Sequence, residues 1–173
     1  MSATKSLLTI LGIGVVVIVF LILYTKSNSQ TEDWLSSNNP VHNLSFKYPK
    51  DFGTPYITAQ DWPPQMAIMD SPLACTEAGT PTARAGQTKM VNINNKPYCV
   101  TVEAEGAAGS TYRQYAYARE VGGRVVILTF TIREPQCANY DDIERAVCSA
   151  DQSSFDLNGL IDQIFNTLKF TKS

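Results

Sequence analysis

Four cysteines and a run of carboxylates are the residues of this chain best suited to chemistry. The stretch CANYDDIERAVCSADQ places ten residues between Cys137 and Cys148 and sets acids among and just after them. Structural zinc sites present C-x2–4-C pairs, often with histidines, and disulfide oxidoreductases present C-x-x-C. Neither spacing occurs here. A disulfide across such a loop removes roughly 3 kcal/mol of unfolded-chain entropy, a large share of a domain stability of about 5–15 kcal/mol. A staple is therefore the expectation. Cys75 and Cys99 bring the count to four. Three pairings are open, and adjacency favours Cys75–Cys99 with Cys137–Cys148.

The acids within the loop raise a second chemistry. Asn139, Asp141, Asp142 and Glu144 supply the oxygen ligands a hard cation such as calcium prefers. Their spacing is not that of an EF-hand loop, and no glycine makes its turn. The competing reading is a helix start, with Asp141 as N-cap and Glu144 three residues on. Glu103 and Glu105 share one strand face and form the pair a glycosidase would need, although such pairs flank a deep cleft. His42, the only histidine, lies in a polar stretch, badly placed to serve as a base. The loop Glu105 to Thr111, EGAAGST, lacks the spacing of a phosphate-cradling loop and reads as an inter-strand connection with Ser110 and Thr111 exposed. Tyr98, Tyr112, Tyr115 and Tyr117 offer apolar area with a polar handle, suited either to a ligand or to cross-strand packing. No catalytic residue is assigned and no cofactor is expected.

The elements that must position these residues begin with an apolar run. SLLTILGIGVVVIVFLILY, residues 6–24, carries no charge. As a helix it spans about 28 Å, close to the ~30 Å of a bilayer core. The expectation is an uncleaved transmembrane anchor after a short cytoplasmic tail, residues 1–5. A polar linker over 25–43 and an extracytoplasmic domain over 44–171 then follow. Cysteine pairing favours the same orientation, because disulfides persist in oxidising compartments. Setting aside Lys5 and Lys26 leaves twelve basic against sixteen acidic residues, a net charge near −4. Such a body is a poor partner for nucleic acid.

Within the body, LSFKYP alternates like a half-buried strand and MAIMD reads as another. KMVNI and YCVTVEA flank NNKP as a hairpin. TYRQYAYAREV and RVVILTFTIRE flank Gly122-Gly123, which tolerates the positive φ of a tight turn. Leu157, Leu160, Ile161, Ile164, Phe165 and Leu168 form one helical stripe, with Asp156 as N-cap and Phe155 as staple. The fold class expected is α+β: an N-terminal transmembrane helix, then a mainly antiparallel sheet with a C-terminal amphipathic helix packed on it.

The opening strand LSFKYPKDF and the terminal helix LIDQIFNTLKF resemble those of extracytoplasmic domains with the PsbP-like fold. That family includes membrane-anchored and lipid-anchored bacterial domains, and the resemblance transfers no functional residue. The function expected is a non-enzymatic interaction module of an envelope assembly, with the bilayer and a protein as partners. The alternatives are a small enzyme acting on envelope polymers through Glu103, Glu105 or the loop acids, and a pilin-like subunit. Type IV pilins carry a glutamate within the apolar helix, and this run has none.

Overall fold

The computed structural model describes residues 31–81 and 86–170. Ten strands form two sheets, and the strands are numbered in chain order. The small sheet pairs β1 (Leu35–Asn39) and β10 (Lys169–Phe170) with the two sides of β2 (Leu44–Tyr48). The large sheet runs β3-β9-β8-β7-β6-β5, with β4 also paired to β9. Its centre is a meander of β6 (Gln87–Ile93), β7 (Lys96–Ala107), β8 (Ser110–Val121) and β9 (Arg124–Pro135). All of its pairings are antiparallel.

Each hairpin of the meander closes on two residues with positive φ: Asn94-Asn95, Ala108-Gly109 and Gly122-Gly123. Two-residue turns with that geometry match the right-handed twist of the strands they join. Register then sorts the side chains. Tyr98, Val100, Tyr117, Leu128, Phe130 and Ile132 project to one side and are buried. Cys99, Thr101, Glu103, Gln114 and Thr131 fall on the other.

The helix α2 (Leu157–Asn166) and the small sheet cover the buried side. In α2, Ile161, Ile164 and Phe165 are buried, each worth about 1.5–3 kcal/mol on removal from water. Asp156 caps the helix by accepting from the Gly159 N–H at 2.9 Å. Phe165 meets Tyr98 edge-on at 5.3 Å. Trp62 meets Phe130 at 5.8 Å, and Phe52 bridges Trp62 to Phe155.

β4 (Gln65–Met69) and β5 (Ala78–Gly79) lie on opposite edges of the large sheet. The connection between them must cross five strand spacings, about 24 Å. The steps from Met69 to Ala78 reach at most about 30 Å, so this strap is nearly taut. It crosses the sheet on the side away from α2. There Cys75 is joined to Cys99 of β7, and towards the strap's two ends Asp70 pairs with Arg124 at 3.4 Å and the Glu77 carboxylate accepts the Met90 N–H at 2.9 Å.

Three expectations need correction. The fold is not one sheet, because β2 builds a separate small sheet; the helix start read at Asp141 opens a helix, α1 (Asp142–Ser154), that precedes α2. The transmembrane helix expected over 6–24 lies outside the described residues, and among these no helix is long and apolar enough to cross a membrane. The fold class is therefore a β-dominated α+β domain, and the spanning helix has no support in the structure. Part of the stretch read as linker is β1, registered from Leu35↔Tyr48 to Asn39↔Leu44. Its polar sequence hid it, since only backbone pairing and the neighbouring Trp34 tie it to the core.

Candidate functional site

The cysteine–acid stretch folds as a bracket around α1. A 3-10 turn, Cys137–Asn139, leads to Asp141, whose carboxylate accepts from the N–H groups of Ile143 and Glu144 at 3.1 and 3.0 Å. Cys148, one turn further along, is joined to Cys137. All four cysteines are thus paired as adjacency suggested, with no free thiol.

The inner side of α1 is held by this disulfide and by polar groups. Asp151 accepts from the Thr54 hydroxyl at 2.6 Å, and the Gln152 amide donates to the Pro135 carbonyl at 2.9 Å. Its only buried residue is Cys148. Its outer side carries Ile143 at 80% exposure and Val147 at 48%. Amphipathic helices on globular proteins normally do the reverse.

Three of the four oxygen residues weighed as calcium ligands are engaged locally. Asp141 is the cap and Asp142 pairs with Arg145 at 3.2 Å. The Asn139 amide donates to the Gly109 carbonyl at 3.2 Å, and Glu144 follows on α1. Among the described residues no group of three or more His, Cys, Asp or Glu could hold a metal ion.

The tyrosines separate. Tyr98 is fully buried, and its hydroxyl serves the core. Tyr112 lies on the opposite side of the sheet beside Glu103, Glu105 and Gln114, in a shallow recess of about 300 Å³. Tyr115 and Tyr117 stack at 5.9 Å and line a groove of about 350 Å³ between the sheet and the start of α2. Burial pushes the Tyr115 phenol up to about 12 and raises Tyr117 as well. The Tyr117 hydroxyl donates to Asn158 Oδ1 at 2.9 Å. His42 sits in the turn between β1 and β2, where its N–H donates to Asn39 Oδ1 at 3.3 Å. Ser110 is buried rather than exposed, because the strands run to the tip and only Ala108-Gly109 form the turn.

Sequence reasoning overlooked the most concentrated polar cluster. Asp162 of α2 is 2% exposed. It accepts from the Tyr98 hydroxyl at 2.5 Å, from Lys96 Nζ at 2.9 and 3.0 Å, from Asn94 at 3.0 Å and from Asn166 and Arg119 at 3.2 Å. Burial alone would raise this carboxyl. The donors, Tyr98 first and then Asn94 and Lys96, overcome that and hold it at about 2. The same partners leave Asp162 saturated, so the cluster pins α2 to β7, to β8 and to the turn before β7 rather than offering a reactive group. One clue was present: Asp162 sits beside Ile161 at the edge of the apolar stripe. Apart from Asn166, its partners come from two strands and a turn 43–68 residues away, and spacing gives no access to them.

No known protein family matches the chain, and no curated protein matches it. A crystal structure from Bacteroides thetaiotaomicron is similar over 82% of this chain at 12% identity, with a TM-score of 0.39. The chain spans 50% of that protein's length. A likeness at that level carries no argument about function.

Proposed function

We propose that this chain is a non-enzymatic interaction module working outside the reducing cytoplasm, within an envelope assembly. The observation that carries the reading is the inverted α1, which is fastened by a disulfide and polar groups while its apolar residues point to solvent. Exposing Ile143 and Val147 costs solubility and contributes nothing to the core, so the arrangement makes sense when something covers it. Two closed disulfides support an oxidising compartment. The PsbP-like resemblance, carried by LSFKYPKDF and LIDQIFNTLKF, is part of this proposal. The test is photo-crosslinking of the full chain in its own cells, with the cross-linker moved over the surface. A specific neighbour at one or more positions is expected, and none at any position would sink the reading.

A second reading rests on the recess where Glu103 and Glu105 stand beside Tyr112. It makes the chain a small hydrolase of envelope polymers. Glu103→Gln with Glu105→Gln should then abolish release of soluble fragments from isolated envelope material. Unchanged release, or none from the parent chain, removes it.

A further inference from the structure

We propose that the outer side of α1 docks a basic amphipathic segment of the partner protein. This rests on the interaction-module reading and names the partner's chemistry. Ile143, Ala146, Val147 and Ala150 recur at i, i+3, i+4 and i+7, one stripe along the exposed side of the helix. Helix-in-groove recognition is read through anchors at that spacing. Four side chains of this size offer on the order of 300 Å², well below the roughly 800 Å² per partner of a standard interface. The stripe is too small to hold two copies of this chain together unaided, and it suits one short segment.

Charge sets the sign of that segment. Asp141, Asp142 and Glu144 gather at the N-terminal end of the stripe. Asp141 answers the partial positive charge of the helix start by capping it. Asp142 and Glu144 carry two charges, and among the described residues Arg145, bound to Asp142, is the cation paired with them. The C-terminal end carries Ser149, Ser153 and Ser154 and adds no cation. The Tyr56 phenol nearby is raised by burial and then by Glu144 and other acids, consistent with this negative field. A segment with apolar anchors and Lys or Arg gathered at one end matches both features, and its basic end lies over Asp142 and Glu144. Steering of this kind weakens with salt.

The probe is a synthetic helical peptide with leucines at i, i+3, i+4 and i+7 and a lysine cluster at one end, titrated against the full chain by fluorescence anisotropy. A twin carrying glutamates in place of the lysines is the control. The lysine peptide should bind at least tenfold more tightly, and its affinity should fall at least tenfold in Ile143→Asp/Val147→Asp. Ile143 is 80% exposed, so the variant should keep its circular dichroism and its two disulfides. Asp142→Lys/Glu144→Lys should erase the preference for lysine. Equal binding of the two peptides, or binding that survives Ile143→Asp/Val147→Asp, overturns the proposal. Self-association of the parent chain that Ile143→Asp abolishes in sedimentation gives the stripe to a second copy and overturns it too. Cross-linking in cells separates the two levels. Adducts at position 143 to a Lys- or Arg-rich segment support the proposal. Adducts only elsewhere, such as position 103, refute this surface and keep the module reading. No adduct anywhere refutes both.

Discussion

Replacing Asp162 with asparagine keeps the shape of the side chain and removes its charge, so it measures what the buried carboxylate contributes. The folded-state pKa is held at about 2 against 3.8 for a free aspartate. At 1.36 kcal/mol per unit, that difference is about 2 kcal/mol of stability. Because the folded pKa is the lower one, the contribution is present above the unfolded value and is lost as pH falls from about 5 to about 2. That figure already includes the attraction to Lys96, whose side chain is 33% exposed. Urea unfolding at pH 7, 5, 3 and 2, without reductant, should show Asp162→Asn destabilised by about 2 kcal/mol at pH 7. The gap should narrow by about 2 kcal/mol at pH 2. Carboxylates far from this cluster titrate in both proteins and cancel in the difference. A gap that stays constant across the four pH values would refute the reasoning, since it would mean the donors around Asp162 do not favour its charged form.

Other perturbations test other parts of the structure. Alkylation of the unreduced chain followed by intact mass should add no label, and any label would contradict the two disulfides. Cys137→Ser/Cys148→Ser should cost about 3 kcal/mol by loop entropy and raise hydrogen exchange in α1 far more than in α2; equal exchange in both helices would contradict the account of how α1 is fastened. Ala108→Asn should stabilise by about 0.5–1 kcal/mol in thermal unfolding, because alanine at φ 48° holds a left-handed conformation that asparagine accepts more readily. Burial raises the phenols of Tyr98, Tyr115 and Tyr117. Their stabilising contribution is complete below the unfolded tyrosine pKa near 10 and should drain as pH rises beyond it, seen as alkaline unfolding that Tyr115→Phe shifts to higher pH.

Local chemistry was legible where a residue acts on its chain neighbours. Asp141 and Asp156 were readable as caps because a cap bonds two or three residues ahead. Gly122-Gly123 was readable as a turn because two adjacent positive φ angles favour glycine. The meander and the stripe of α2 followed from periods of two and of 3.6. The small sheet did not, because β1 is LSSNN and its place depends on β2 rather than on its own residues. The separation of the tyrosines was hidden for a related reason. Alternation puts Tyr112 opposite Tyr115 and Tyr117, but only the strand register shows which side is covered. The inverted α1 was masked by its own acids, which drew attention to calcium and away from Ile143 and Val147.

The strap between β4 and β5 imposes an order of events during assembly. Cys75 meets Cys99 in the native position only when β5, β6 and β7 are side by side, because Cys75 lies three residues before β5 and Cys99 lies on β7. Cys137 and Cys148, eleven positions apart, need no such scaffold and can close around a nascent helix. In oxidative refolding of the reduced chain the C-terminal pair should therefore close first and the N-terminal pair last. An early bond from Cys75 to either C-terminal cysteine would trap the chain before the meander forms. The large sheet is thus the template on which the Cys75–Cys99 bond is set, whereas the Cys137–Cys148 bond needs only its own helix.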